Sequence, residues 1–225
     1  MAERVKLHPV TPHQKRIFEL VDLLRDNSVF LLPTDSQYAL ACDYQNKKGI
    51  ERIRKIRNLD QKDHLTVMCH SLQHVSTFAT LNDRNFKLIR RLIPGPFTFI
   101  LPATREVPRL LVHPKKRTVG IRVPDYPICL NLIQTLNRPL LAITAKLEGN
   151  EYADPSSGDR EMFLSRFDHL VDVIIDNQQP LPDTESTIVD LTGEVPELVR
   201  EGPGMRKLQE AVALEGEQLL IPSEV

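Results

Sequence analysis

VFLLPTDSQYALACD, residues 29–43, is the stretch that decides the fold of this chain. The apolar run Val29-Phe30-Leu31-Leu32 stops at Pro33, the polar cluster Thr34-Asp35-Ser36 follows, and a second apolar run resumes from Tyr38 to Cys42. Short apolar runs bounded by Pro and turn formers predict two buried strands. Their connection would then hold two hydroxyls and a carboxylate at a sheet edge, and rigidly presented polar groups on loops are what small-molecule sites are built from. The same residues equally suit a turn whose side chains bond their own backbone. This segment alone leaves both readings open.

Working outward, residues 12–27 place Ile17, Leu20, Val21, Leu23 and Leu24 at helical spacing behind Thr11-Pro12, which predicts an amphipathic helix. Residues 49–58, GIERIRKIRN, set Ile50, Ile53 and Ile56 every third residue, with Arg52, Arg54, Lys55 and Arg57 between. That predicts a helix with an apolar stripe and a strongly basic face. Further strands are expected at 65–69, 97–101, 118–123, 140–143, 171–175 and 187–191, with a short last one at Leu198-Val199. Helices are expected at 85–93, 126–136 and 160–167, the first ended by Pro94-Gly95-Pro96, with a short helical turn at 107–112 before the basic run 113–117. Strands alternating with helices define an α/β class with a mixed sheet. The Pro-rich stretch 177–185 reads as a loop able to lie over a site. Residues 206–225 are acidic and are expected as a loosely held tail beyond a single domain at 1–205.

A chain of 225 residues can bury a substantial core. It has no run of about 18 apolar residues, so no membrane span is expected, and MAERVKLHPV lacks the apolar core of a signal peptide. Cys42, Cys69 and Cys129 are widely spaced, which argues against a disulfide framework or structural zinc and suits the cytoplasm. The net charge of −1 hides a polarity: residues 1–122 carry 22 Lys+Arg against 11 Asp+Glu, and residues 123–225 carry 7 against 19. A basic half points to an anionic partner, such as nucleotide phosphates or RNA; a solvated face with evenly spread charge is the alternative.

Neither familiar glycine-rich nucleotide loop is present, nor a GxSxG or HExxH motif, and the seven His residues are scattered. What remains are strand-edge segments with hydroxyls and single cations: Thr34-Asp35-Ser36, Lys55-Ile-Arg57, Thr118 to Arg122, Thr144-Ala-Lys146, Glu185-Ser186-Thr187 and Arg200-Glu-Gly202. Cations and hydroxyls without a carboxylate base suit a phosphate-bearing substrate held by position and charge.

PTDSQYAL, KIRN, PGPFTFIL, TVGIRVPDYP, STIVDL and VREGPG, in this order, resemble the YrdC/YciO family over roughly residues 10–205. The resemblance implies a YrdC-like twisted mixed sheet with flanking helices and a basic concave face. It implies joining of L-threonine, bicarbonate and ATP into L-threonylcarbamoyladenylate and pyrophosphate, an intermediate of tRNA threonylcarbamoyladenosine modification. By that resemblance Thr34 and Ser36 lie near the threonine moiety. Lys55 and Arg57 face the ATP phosphates and act as the catalytic pair. Thr118 and Arg122 hold adenylate and threonine, Ser186 binds substrate, and Thr144, Lys146 and Arg200 lie at the nucleotide. Mg²⁺ would travel with ATP, with no metal site of the protein's own.

Two departures from the synthase pattern stand out. Where that pattern has roughly Ser-Thr-Ser-Ala-Asn, this chain reads Ala142-Ile-Thr144-Ala-Lys146, and at the position of an expected His it reads Met68. An ammonium at 146 binds phosphate but cannot accept a hydrogen bond as Asn does. Such changes resemble the YciO branch. They keep two other activities open: non-catalytic binding of double-stranded RNA, tRNA or the ribosome on the basic half, and hydrolysis of the adenylate.

Overall fold

The computed structural model describes residues 1–222 apart from 61, 62, 64, 148–159, 181 and 183. His64, which begins the segment read against the synthase pattern, and part of the 177–185 loop lie outside the described residues. In chain order the elements are β1 (Glu3–Lys6), α1 (Gln14–Arg25), β2 (Phe30–Leu32), β3 (Ala39–Asp43), α2 (Lys47–Ile56) and β4 (Thr66–Met68). Then come α3 (Leu72–Phe78), α4 (Asp83–Leu92), β5 (Phe97–Pro102), a 3₁₀ turn (Arg109–Leu111), β6 (Thr118–Arg122), α5 (Pro127–Leu136) and β7 (Leu140–Thr144). The last are α6 (Arg160–Ser165), β8 (Val173–Asp176), β9 (Thr187–Asp190), β10 (Glu197–Arg200) and α7 (Met205–Leu214). The fold is a mixed α/β one. By internal contacts the chain divides into unit 1 (Met1–Asp60 and Tyr126–Asp183) and unit 2 (Gln61–Asp125 and Thr184–Val225). No helix among the described residues is long and apolar enough to cross a membrane.

In unit 1 the strands run in the order β1-β8-β2-β3-β7. β8 pairs in parallel with β1 and β2, whereas β2–β3 and β3–β7 are antiparallel. Every residue of β2, β3 and β8 is buried, as expected of strands covered on both faces. Helices α1 and α5 pack together, Ile17, Leu20, Val21 and Leu24 from one and Ile128, Cys129, Leu132 and Ile133 from the other. Asn46 caps α2, its side chain accepting from the Gly49 amide at 2.8 Å and donating to the Asn27 carbonyl at 2.7 Å.

Helix α2 differs from the expected division into apolar stripe and basic face. Arg54 is buried beside Ile50 and Ile53, with its guanidinium donating to the Asp60 carbonyl, while Ile56 is only half-buried. The aliphatic stem of arginine packs like an apolar residue when its head finds a carbonyl.

In unit 2 the order is β4-β6-β5-β9-β10, with β4–β6 and β5–β9 parallel and β5–β6 and β9–β10 antiparallel. Residues 206–222 depart from the expected loose tail. They begin inside α7, which packs on α4 and buries Leu208, Ala211 and Val212. Arg91 pairs with Glu215 at 2.9 Å, and the Leu198 amide donates to the Leu220 carbonyl at 2.8 Å. The acidic residues outweigh this apolar face in composition but not in packing. Two more elements, β1 and α3, were not foreseen: ERVK has one apolar residue, and its partner β8 is remote in sequence.

Leu208→Ala is expected to cost about 2–5 kcal/mol in denaturant unfolding, as for a core leucine, whereas a detached tail would leave the midpoint unchanged. The ring of His70, just before α3, lies 4.5 Å from that of His74 on the helix. Burial, and then the charge of His70, push His74 down from 6.5 to about 4. The folded state thus favours the neutral ring, so this contribution to stability is complete above pH 6.5 and lost as pH falls towards 4. In thermal melts across that window, His74→Gln is expected to flatten part of the decline; an unchanged profile contradicts the assignment.

Candidate functional site

Apart from Lys55 and Arg57, which lie on and just after α2, the polar residues singled out in the sequence fall at or beside strand ends, and each unit carries its own group. In unit 1, Leu32 of β2 pairs with Ala39 of β3, and Ala39 pairs with Thr144 of β7. The ladder continues through the Ala145 amide, which donates to the Tyr38 carbonyl at 2.8 Å. Register therefore puts the Thr34-Asp35-Ser36 connection and the Thr144-Ala145-Lys146 segment at the same end of the strands. Asn177, directly after β8, leaves from that end too, because β8 runs parallel to β2.

The connection is a turn closed by its own side chains. Thr34 Oγ1 donates to the Gln37 carbonyl at 2.7 Å and accepts from the Ser36 amide at 3.1 Å. It also lies 3.2 Å from Ser36 Oγ. Because the single Thr34 proton is committed to a carbonyl, Ser36 is the donor in the hydroxyl–hydroxyl contact. Thr34 thus holds the backbone, and Ser36 keeps its lone pairs as acceptors. Both side chains are buried, at 3% and 4% exposure. Cys129 Sγ donates to the Pro33 carbonyl at 3.3 Å, tying the turn to α5.

Three further residues brace this end. Tyr38 Oη donates to Asn177 Oδ1 at 2.9 Å, and Asn177 Nδ2 donates to Tyr126 Oη at 2.7 Å. Burial pushes both phenols above their ordinary range, and the Asp35 carboxylate adds to the push on Tyr126. Arg57, the C-terminal cap of α2, donates to the Lys146 carbonyl at 3.2 Å and so positions the segment after β7. Lys55 is exposed on α2. Ala142 is buried in mid-strand opposite Ala41, so its departure from the synthase pattern does not reach the strand end. Lys146 does reach it.

In unit 2, Arg122 ends β6 and is buried at 6% exposure opposite Thr98 of β5. Thr98 Oγ1 lies 3.0 Å from Ser186 Oγ. Arg200 donates through Nε and Nη2 to the Ser186 carbonyl at 3.0 and 2.8 Å, and through Nη2 to Ser186 Oγ at 3.1 Å. Its Nη1 pairs with the Glu185 carboxylate. Ser186 therefore orients Arg200. Burial lowers the Arg200 guanidinium from its ordinary value, with Glu185 opposing and the charge of Arg122 adding to the lowering. Gly202 permits this approach, since a Cβ there would come within 2.3 Å of the Glu185 carbonyl oxygen.

Thr118 does not join Arg122. It is buried at the other end of β6, opposite Pro102 and about 13 Å away along the strand. Thr98, Tyr38, Tyr126 and Asn177 were not singled out in the sequence. Thr98 left a signal, a hydroxyl inside the apolar run FTFIL; Asn177 left none, because its role depends on parallel pairing. No group of three or more His, Cys, Asp or Glu suited to a metal occurs among the described residues.

The Sua5/YciO/YrdC family model, described as telomere recombination, matches residues 22–202. YciO of Escherichia coli (strain K12) is 38% identical over 204 residues, covering 91% of this chain and 97% of that protein. The E. coli YciO crystal structure superposes with a TM-score of 0.82 over 91% of this chain and 97% of that chain, at 37% identity. Threonylcarbamoyl-AMP synthase of Pyrococcus abyssi is 28% identical over 201 residues, 89% of this chain and 57% of the synthase. P. abyssi Sua5 complexed with L-threonine shares the fold, with a TM-score of 0.83 at 23% identity over 99% of this chain and 62% of that one. Matching most of its length to the family model and to YciO, the chain belongs to the Sua5/YciO/YrdC family.

Proposed function

We propose that this protein acts on L-threonylcarbamoyladenylate, forming it from L-threonine, bicarbonate and ATP with release of pyrophosphate. The observation that supports the reading is Ser36, a buried hydroxyl whose proton is spent on Thr34, so that its lone pairs can act only as acceptors. An amino-acid ammonium supplies the matching donors. The name of the Pyrococcus synthase and the L-threonine complex of Sua5 support the choice of amino acid.

Unit 2 offers guanidiniums suited to carboxylate or phosphate oxygens, Arg122 and Arg200, the latter held rigid by Ser186 and Glu185. Thr144, Lys146 and Lys55 bind phosphate oxygens, while Arg57 keeps Lys146 in place. Bicarbonate takes a proton from the threonine ammonium and breaks down to CO₂ and water; the freed amine then attacks the CO₂ carbon and loses a second proton to water, giving a carbamate. A carbamate oxygen then attacks the α-phosphorus of ATP, and the bond to the β-phosphate oxygen breaks to release pyrophosphate with its Mg²⁺. Bicarbonate and water carry off the amine's protons and the carbamate is an anionic nucleophile, so the cations stabilise developing charge and no side-chain base is required. The adenylate would supply the threonylcarbamoyl group for tRNA.

A second reading rests on Lys146. An ammonium in place of an amide at the strand end can stabilise phosphate leaving from the adenylate when water attacks the carbamoyl carbon, giving AMP and threonine carbamate. Thr144 beside it keeps a hydroxyl at the same place.

Incubation with ATP, L-threonine and bicarbonate is expected to release pyrophosphate in proportion to threonine; release that ignores threonine contradicts the synthase reading. Supplied adenylate converted to AMP faster than it is formed would favour hydrolysis. Ser36→Ala is expected to weaken threonine use about tenfold or more through loss of one charge-assisted bond, with folding preserved. Arg200→Lys, which loses the fork on Ser186, is expected to lower kcat/KM by at least as much; rates equal to the parent would remove Arg200 from the site.

A further inference from the structure

At the opposite end of β5 and β6 from Thr98 and Arg122, the connection 103–117 forms a second polar feature of unit 2. It is firmly tied down. The Ala103 amide donates to the Arg117 carbonyl at 3.0 Å, and the Thr104 amide donates to the Phe78 carbonyl at 3.0 Å. Thr104 Oγ1 donates to the Thr77 carbonyl at 2.7 Å, and Val107 and Leu111 are buried beneath it. The basic run closes as a capped turn, with the Arg117 amide donating to the His113 carbonyl at 3.0 Å. His113 Nδ1 accepts from the amides of Lys115 and Lys116, at 3.3 and 3.0 Å. The ring proton therefore sits on Nε2, which is a donor. Arg117 itself adopts the left-handed backbone region at φ 57°, which glycine would occupy more cheaply.

A cavity of about 500 Å³ opens against this loop, with Arg105, Arg109, Arg117 and His113 around it and Val107 and Val112 among its apolar walls. That volume is in the range of small-molecule sites. Its charge is exceptional for this chain. Elsewhere Arg4, Arg52, Arg84, Arg91, Arg138, Arg160 and Arg200 each pair with a carboxylate from a distant part of the sequence. Among the described residues no ion pair involves Arg105, Arg109 or Arg117, and Lys115 and Lys116 flank them. Three guanidiniums gathered on one anchored loop repel one another unless an anion lies between them.

We propose that this pocket binds a ligand carrying two or more phosphate charges, at a site separate from the strand-end cluster. Guanidinium forks match phosphate oxygens in pairs. The valine walls suit an apolar or planar portion of the same ligand. A free phosphorylated small molecule and the backbone of an RNA strand share this chemistry.

Phenylglyoxal modification of the full chain, mapped by peptide mass, reads the three arginines one by one. Sodium pyrophosphate, and separately a short RNA duplex, are compared with sodium chloride at equal ionic strength. Slowed modification of Arg105, Arg109 and Arg117, with exposed Arg16 and Arg206 unaffected, is the expected result. Protection by pyrophosphate identifies a small phosphorylated ligand, and protection by the duplex alone identifies a strand backbone. Equal rates in all three solutions, or equal slowing by chloride, overturn the proposal. Arg117→Gly keeps the backbone at its positive φ while removing the cation, so folding is retained. It is expected to weaken protection of Arg105 and Arg109 about tenfold or more. Undiminished protection in Arg117→Gly also overturns the site. Threonine-dependent pyrophosphate release is expected to survive this substitution, so failure here is distinguishable from failure of the proposed activity.

Discussion

The hydroxyl of Thr34 closes the chain between β2 and β3, and the arrangement at that end of unit 1 follows from it. With one proton on the Gln37 carbonyl and a lone pair on the Ser36 amide, Thr34 has no capacity left for a ligand. Its remaining contact makes Ser36 the donor, and so turns Ser36 outward in function as an acceptor. The β2–β3 and β3–β7 registers then place Thr144 and Lys146 at the same strand ends. The turn reading of Thr-Asp-Ser thus holds for Thr34, while the hydroxyl of Ser36 is left with acceptor capacity beside it.

Unit 2 solves a different problem, holding arginine side chains at strand ends, Arg122 on the buried β6 and Arg200 on β10. Burial of Arg200 disfavours its charge, and the nearby Arg122 adds to that. Glu185, the Ser186 carbonyl and the Ser186 hydroxyl supply the compensation from two adjacent residues. Gly202 allows the chain there to approach so closely. The result is a guanidinium fixed in direction, which suits recognition of a planar carboxylate or a phosphate better than a mobile lysine would.

Much of the fold was legible because the strands and helices that carry the core are strongly patterned. The runs around Pro33 and the three-residue repeat of isoleucines in α2 announced their elements directly. Misses came where a residue's role depends on remote neighbours. Arg54 lies inward because the Asp60 carbonyl receives its head, a contact that periodicity does not report. ERVK becomes β1 because of β8, and the acidic C-terminal stretch becomes α7 because three apolar residues find α4. At the candidate site, residue types were legible but division of labour was not. Thr118 and Arg122 share a motif and a strand yet occupy opposite ends of it. Ser186 proves to be a support for Arg200, and Asn177 enters only through the parallel register of β8.

The central claim is that Ser36 accepts from the amino group of L-threonine. Titration of ¹⁵N-labelled protein with L-threonine in the presence of bicarbonate and a non-hydrolysable ATP analogue tests it most directly. The account predicts saturable shifts of the Ser36 and Gln37 amides that D-threonine does not reproduce and that Ser36→Ala abolishes. Identical shifts with both enantiomers, or none at these two amides, would contradict it.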